Sequence, residues 1–308
     1  MGQKLEGYQG YLGINRRLMR PSSKQILLGV VGILIIGLGV FFLLQKEKPE
    51  EVVVPVDTAP KAAEPVVIGT SVQGRSIEAT SYGTGNTHLF IVGGIHGGYE
   101  WNSVVLAYEM MDYLTAHPEL VPTNLTVTIV PSANPDGVFK IVGTEGRFTS
   151  DDVPVTGDQT LGRFNANNVD LNRNFDCKWK SESMWRGNVV SAGTEAFSEP
   201  EARAIRELVA QQDPVAVIFL HSQSNAVYAS ECTDGILPET MALMNVYADA
   251  AGYPAIDTFD SYDVTGDAEG WLASIGIPAI TVELSTHNTI EWEKNRAGLE
   301  AVLAHYAK

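Results

Sequence analysis

The stretch THLFIVGGIHGGYEWNSVVLAYEMMDYL, residues 87–114, decides how the chain is read. Residues 87–94 centre on the apolar run Leu89 to Val92 and end in two glycines, as a buried strand does. Residues 101–114 then carry apolar side chains at helical spacing, so a strand passes through a glycine-rich turn into a helix. Working outward, the pattern recurs. LTVTIVP (125–131) alternates as a second strand and ends in the turn Asn134-Pro135-Asp136-Gly137. Ser198-Glu199-Pro200-Glu201 fits a capping box ahead of a helix whose apolar face is Ala202, Ile205, Leu208 and Val209. VAVIFL (215–220) and IPAITVEL (277–284) are further strands. Interleaved strands and helices without an internal repeat predict a single α/β domain, built on a central mixed, mostly parallel twisted sheet flanked by helices.

Outside this domain the composition changes. Residues 26–44, ILLGVVGILIIGLGVFFLL, run without a charge, and at about 1.5 Å per residue they span a hydrocarbon core of roughly 30 Å. Residues 1–45 carry five bases and one acid, and residues 46–308 carry 16 bases and 36 acids. The positive-inside rule therefore predicts a cytoplasmic segment at 1–25, a single transmembrane anchor at 26–44 and an extracytoplasmic remainder. An apolar stretch of this length, with no small-residue cleavage site close behind Leu44, argues for an uncleaved anchor over a signal peptide. Residues 45–65 are rich in Pro, Glu and Ala and read as an extended linker, leaving 66–308 as the folded domain. The formal charge of −16 excludes the basic face that nucleic-acid binding needs, and two cysteines exclude a disulfide-dense scaffold and a four-thiolate zinc site.

Three features carry chemistry. GGIHGGYE places His96 and Glu100 directly after a strand, with glycines that allow a tight turn. His221 ends the apolar run 215–220, and Glu283 interrupts another, where a carboxylate is costly unless it is paired or near a cation. Two histidines and a carboxylate with an open water position make the ligand set of a hydrolytic zinc site, and a separate glutamate would accept the proton from the activated water.

Seven motifs in order, IGTSVQGRSIEA, GGIHGGYE, PSANPDG, NNVDLNRNF, FSEPEARAI, FLHSQ and ITVEL, give the chain from about Ile68 onward a resemblance to the zinc metallocarboxypeptidases, a family that includes pancreatic-type carboxypeptidases and murein-peptide amidases. The resemblance implies one zinc ion per chain held by His96, Glu100 and His221, with Glu283 as general base. It implies that Asn172 and Arg173 grip the terminal carboxylate of a peptide substrate, that Arg163 supports the oxyanion, and that Tyr262 closes over the substrate. Arg147, in a nearby loop, competes with Arg163 for its role, and Tyr253 lies close to Tyr262. The first motif departs from the family: three residues, not two, separate His96 from Glu100. The extra residue must be absorbed in a glycine bulge or by an opening helical turn with the ligands four apart.

Glu269, eighth in the count from Tyr262, matches a position that lines the side-chain pocket in the family. An acid there, with Asp257, Asp260, Asp263 and Asp267 nearby, suggests a basic terminal residue such as Lys, Arg or diaminopimelate; equally, Asp267 and Glu269 could cap and charge the helix DAEGWLASI. On the oxidising side of a membrane Cys177 and Cys232 could pair, with two buried thiols as the alternative. The expected activity is hydrolysis of the C-terminal residue of peptides, cell-wall peptides included, at a membrane surface. The alternatives are a zinc-dependent deacylase of small N-acyl amino acids and an inactive module that binds peptide ends.

Overall fold

The computed structural model describes residues 22–24, 27, 28, 31 and 64–307. The chain divides into two units, Met1–Thr58 and Ala59–Lys308. In the first, residues 23, 24, 27, 28 and 31 are helical, and the remainder of the predicted anchor lies outside the described residues, as do residues 1–21 and 45–63. Among the described residues no helix is long and apolar enough to cross a membrane.

The second unit is built on one mixed sheet. Its strands are β1 (Val66–Thr70), β2 (Ser76–Gly83), β3 (Thr87–Val92), β4 (Leu125–Val130), β7 (Ala216–Ser222), β8 (Ala226–Ala229), β11 (Ala255–Ile256) and β12 (Ala279–Leu284). They lie in the order β1-β2-β4-β3-β7-β12-β8-β11. The central run β4-β3-β7-β12 is parallel, while β1, β2 and β8 join antiparallel. Two ribbons stand apart from it: β5 (Glu182–Trp185) with β6 (Asn188–Ser191), and β9 (Glu231–Cys232) with β10 (Gly235–Ile236). The helices are α1 (Trp101–Ala116), α2 (Pro135–Val142), α3 (Pro200–Gln212), α4 (Pro238–Ala251), α5 (Ala268–Ser274) and α6 (Trp292–Tyr306).

Successive side chains of a strand point to opposite faces, and both faces of this sheet are covered. Ile218 and Leu220 of β7 and Ile280, Val282 and Leu284 of β12 join a core with Leu106 and Met110 of α1, Leu243 and Tyr247 of α4, and Leu299 and Val302 of α6. Val217 and Phe219 of β7 and Ala279 of β12 join a second core with Ile205 and Leu208 of α3 and Trp271 and Leu272 of α5. Strands buried on both faces read as continuous apolar runs, which is why these four were visible in the sequence. Truncating a side chain as enclosed as Phe219, at 0% exposure, costs about 3–5 kcal/mol. By the same alternation His221 and Glu283 fall on the second face, beneath α5, at the carboxyl ends of their strands.

Two local expectations change. Asn134-Pro135-Asp136-Gly137 opens α2 instead of forming an isolated turn: the Asn134 side chain accepts the Gly137 amide, and Pro135 sits at the first helical position, where its missing N–H costs nothing. The capping box at 198–201 does not form. The residue before α3 is Glu199, which makes no side-chain cap, because Ser198 bonds the Glu199 carboxylate and Glu201 accepts from Val72 and Asn165. Cys177 and Cys232 form a disulfide with a Cα–Cα distance of 6.0 Å, packed on Ala273 of α5.

Candidate active site

His96 follows β3 and leads a single 3-10 turn, Gly97–Glu100, that runs straight into α1. The extra residue is therefore absorbed by an opening helical turn, with His96 and Glu100 four apart. Gly97 makes the turn fit: its φ is +49°, and a Cβ there would stand 2.6 Å from the Gly162 carbonyl oxygen and 2.8 Å from Gly137 Cα. The Glu100 carboxylate reaches His96 Nδ1 at 2.8 Å through Oε1 and His221 Nδ1 at 3.0 Å through Oε2, and the two Nδ1 atoms are 3.2 Å apart. All three side chains are buried. Their donor atoms lie within 4.8 Å of one another, and nitrogen, nitrogen and carboxylate oxygen are the donors that a catalytic zinc takes from protein.

Behind the cluster each imidazole has a carboxylate at its other nitrogen. His96 Nε2 is 3.5 Å from Asp170 Oδ1, and His221 Nε2 is 3.1 Å from Glu269 Oε1. Asp170 also accepts from Arg163 Nε at 2.8 Å. Glu269 is fixed by Thr281 Oγ1 at 3.1 Å and by Asn172 Nδ2 at 3.2 Å.

The electrostatics follow from burial and crowding. Burial alone would raise the Glu100 carboxyl, but the two histidines outweigh it and hold it well below the usual range. Burial opposes charge on His221 too, yet Glu100 and Glu269 hold its imidazole well above the usual value. Asp170 is held low against its burial by Arg163 and Arg173. Glu283 goes the other way: burial, then the charges of Glu100 and Glu269, push it up to about 8. A carboxyl so placed, with Oε2 free of any hydrogen bond, is suited to exchanging protons.

These residues sit in a cleft of about 790 Å³ that Arg163, Asn172, Arg173, Tyr262, Glu269 and Glu283 all line. Arg163 lies 4.6 Å from the Trp185 ring and 3.8 Å from Glu100, whereas Arg147 pairs with exposed Asp112 on α1 and stays outside the site. Arg173 donates to the carbonyls of Asn172 and Met184 and keeps Nε without a partner. Asn172 Oδ1 accepts the Ala268 amide at 2.8 Å, tying the DLNRNF turn to α5. Tyr262 is half-buried, its ring 4.9 Å from Phe259 and 6.0 Å from the Arg173 guanidinium, and Tyr253 is bonded to Glu291 away from the cleft. Asp267 caps α5 through the Gly270 amide, as the sequence allowed, while Glu269 faces His221. Asp257 is exposed and does not line the cleft, although Asp260, Asp263 and Asp267 do.

Three participants were not identified from sequence. Asp170 lay inside a motif that was read for its Asn and Arg. Thr281 stands two residues before Glu283 and shares its face. His287 reaches the Ser222 hydroxyl with Nδ1 at 2.7 Å, and its ring packs at a tilt 4.5 Å from that of Tyr99.

Residues 55–296 match the sequence family described as zinc carboxypeptidase. The gamma-D-glutamyl-L-diamino acid endopeptidase 1 of Lysinibacillus sphaericus is 24% identical over 241 residues, 71% of this chain and 60% of that protein. Carboxypeptidase B of Helicoverpa zea is 28% identical over 255 residues, 73% of this chain and 58% of that protein. The chain thus spans about three-fifths of the length of these relatives. In fold it is similar to the crystal structure of a murein-tripeptide amidase from Escherichia coli O157, with a TM-score of 0.59 and 23% identity over 82% of this chain and 97% of that one.

Proposed function

The chain belongs to the zinc carboxypeptidase family, and from that premise we propose that it is a membrane-anchored zinc peptidase that removes the C-terminal residue of peptides outside the cytoplasm. The observation that carries the reading is the buried His96–Glu100–His221 cluster with Glu283 beside it, in one cleft with Arg163 and Arg173. Zinc is the metal of this family, and His96, Glu100 and His221 would hold it. Bound there, it supplies Lewis acidity, polarising the scissile carbonyl and acidifying water.

The chain's own groups do the rest. Arg173 offers the substrate's terminal carboxylate a planar, permanently charged partner, with its Nε still unpaired. Arg163, held by Asp170, points its charge toward Glu100 and meets the negative oxygen that develops on the attacked carbonyl. Glu283 takes the proton from the attacking water and returns it to the departing amine, a role that suits a carboxyl pushed toward neutrality by burial. Tyr262 shields the terminal residue from water. Glu231, Asp260, Asp263 and Asp267 make the cleft wall acidic, which favours a cationic terminal side chain.

An acidic wall suits the amino-bearing end of diaminopimelate, and two of the similar proteins are named for diamino-acid or murein peptides. Cell-wall peptides are accordingly the substrate class we favour. The experiment uses the full chain in detergent on matched peptides ending in a free or an amidated carboxylate, with and without chelator. Free-ended peptides should be cleaved at the last bond, chelation should stop turnover, and zinc should restore it. With N-acyl amino acids assayed in parallel, cleavage confined to them would favour the deacylase, and no chelator-sensitive cleavage of either substrate would leave the binding-module reading.

A further inference from the structure

Glu269 was read from the sequence as a residue of the side-chain pocket, and its surroundings assign it different work. Its Oε1 lies 3.1 Å from His221 Nε2 and 3.1 Å from Thr281 Oγ1, while Oε2 lies 3.2 Å from Asn172 Nδ2. The residue is 4% exposed and reaches His221 across 48 positions of sequence, from the first turn of α5 to the end of β7. Three donors from three segments, DLNRNF, β12 and β7, converge on one carboxylate. That is the surrounding of a fixed hydrogen-bond acceptor, not of a free charge waiting for a substrate cation.

We propose that Glu269 is a positioning residue for the metal ligand His221: by accepting the Nε2 proton it fixes the imidazole tautomer and ring orientation and leaves the Nδ1 lone pair facing Glu100 and His96. This rests on the zinc-peptidase reading above, since a ligand needs orienting only where a metal is held. The His96 side has a comparable arrangement, but Asp170 Oδ1 there stands at 3.5 Å and is shared with Arg163 through the other oxygen. The His221 side is the tighter of the two. Carboxylates behind ligating histidines typically change metal affinity 10- to 100-fold when removed. A residue that served only to choose the terminal side chain would leave metal affinity unchanged.

The test is zinc affinity, read by competition with a chromophoric chelator on full-length protein at fixed pH and in the absence of substrate. Glu269→Ala should bind zinc about 100-fold more weakly than the unmodified chain, and Glu269→Gln, which keeps the volume and an acceptor oxygen but loses the charge, about 10-fold more weakly. The order Glu, then Gln, then Ala is the signature of an oriented acceptor. If Glu269→Gln binds zinc as tightly as the unmodified chain, the inference is overturned, whether or not Glu269→Ala folds. If the unmodified chain itself binds no zinc, it is the peptidase reading that fails, and the two failures are told apart by that one measurement.

Discussion

Glu283 lies directly opposite His221 in the parallel ladder between β12 and β7. Because both strands keep strict alternation, the two side chains emerge on the same face of the sheet, one placed for the proposed ligand and the other for the proposed proton acceptor. A slip of one residue in this pairing would turn Glu283 into the apolar core that Val282 and Leu284 occupy, so the hydrophobic pattern of β12 enforces the catalytic register.

From that register follows a division of labour. Glu283→Gln should keep stoichiometric zinc while turnover falls by about 10²- to 10⁴-fold, because the amide cannot accept a proton and is not a ligand. Metal analysis beside steady-state rates checks it, and a Gln variant with near-normal turnover would remove Glu283 from the mechanism.

Protons and zinc should compete. In the metal-free protein Glu283 is pushed up to about 8 and His221 is held well above its ordinary value, so both retain protons that the unfolded chain has released. The folded state then binds more protons than the unfolded state from about pH 5 to 8, and metal-free stability falls as pH rises through that window. Zinc requires the deprotonated cluster, so its affinity should rise over the same interval. Thermal denaturation of the chelated protein and zinc titrations across this range should slope in opposite directions.

The motif with the extra residue has its own test. Gly97→Ala should destabilise the fold by about 1–3 kcal/mol and weaken zinc binding, since a methyl group there overlaps backbone on two neighbouring turns. Gly143→Ala, with φ +77° and nothing within 4 Å, should cost only the left-handed backbone, about 1–2 kcal/mol, and leave zinc affinity alone. Equal loss of zinc in both variants would contradict a local role for Gly97.

Reduction of Cys177–Cys232 should lower stability by about 4 kcal/mol, the chain-entropy value for a separation of 55 residues. The paired serine variant should still bind zinc, because neither sulfur touches a ligand. Chemical denaturation with and without reductant measures the first and chelator competition the second.

The strands that carry the site were legible because their apolar runs are interrupted by a residue whose burial demands a reason: His221 in one, Glu283 in the other. His96 and Glu100 were legible by spacing and family motif, and the opening turn was one of two solutions the glycines permitted. What stayed hidden depends on tertiary contact. The bond from Glu269 to His221 joins elements that no periodicity relates, and the sequence offered Glu269 only a place in the side-chain pocket or the role of a helix-start acid. The capping box over 198–201 failed for the same reason, its side chains being drawn to Asn165, Val72 and Glu199 by the packing of α3. The anchor predicted over 26–44 rests on hydropathy alone, and most of it lies outside the described residues.

The β5–β6 ribbon and residues 258–264 line the cleft from outside the sheet, while His96, His221 and Glu283 hang from its parallel centre. The proposed reacting groups and the cleft wall are thus carried on separate parts of the architecture. Insertions or exchanges in those outer segments can retune which peptide end is accepted while the reacting groups keep their coordinates, so a lineage built on this plan can change diet without relearning its chemistry.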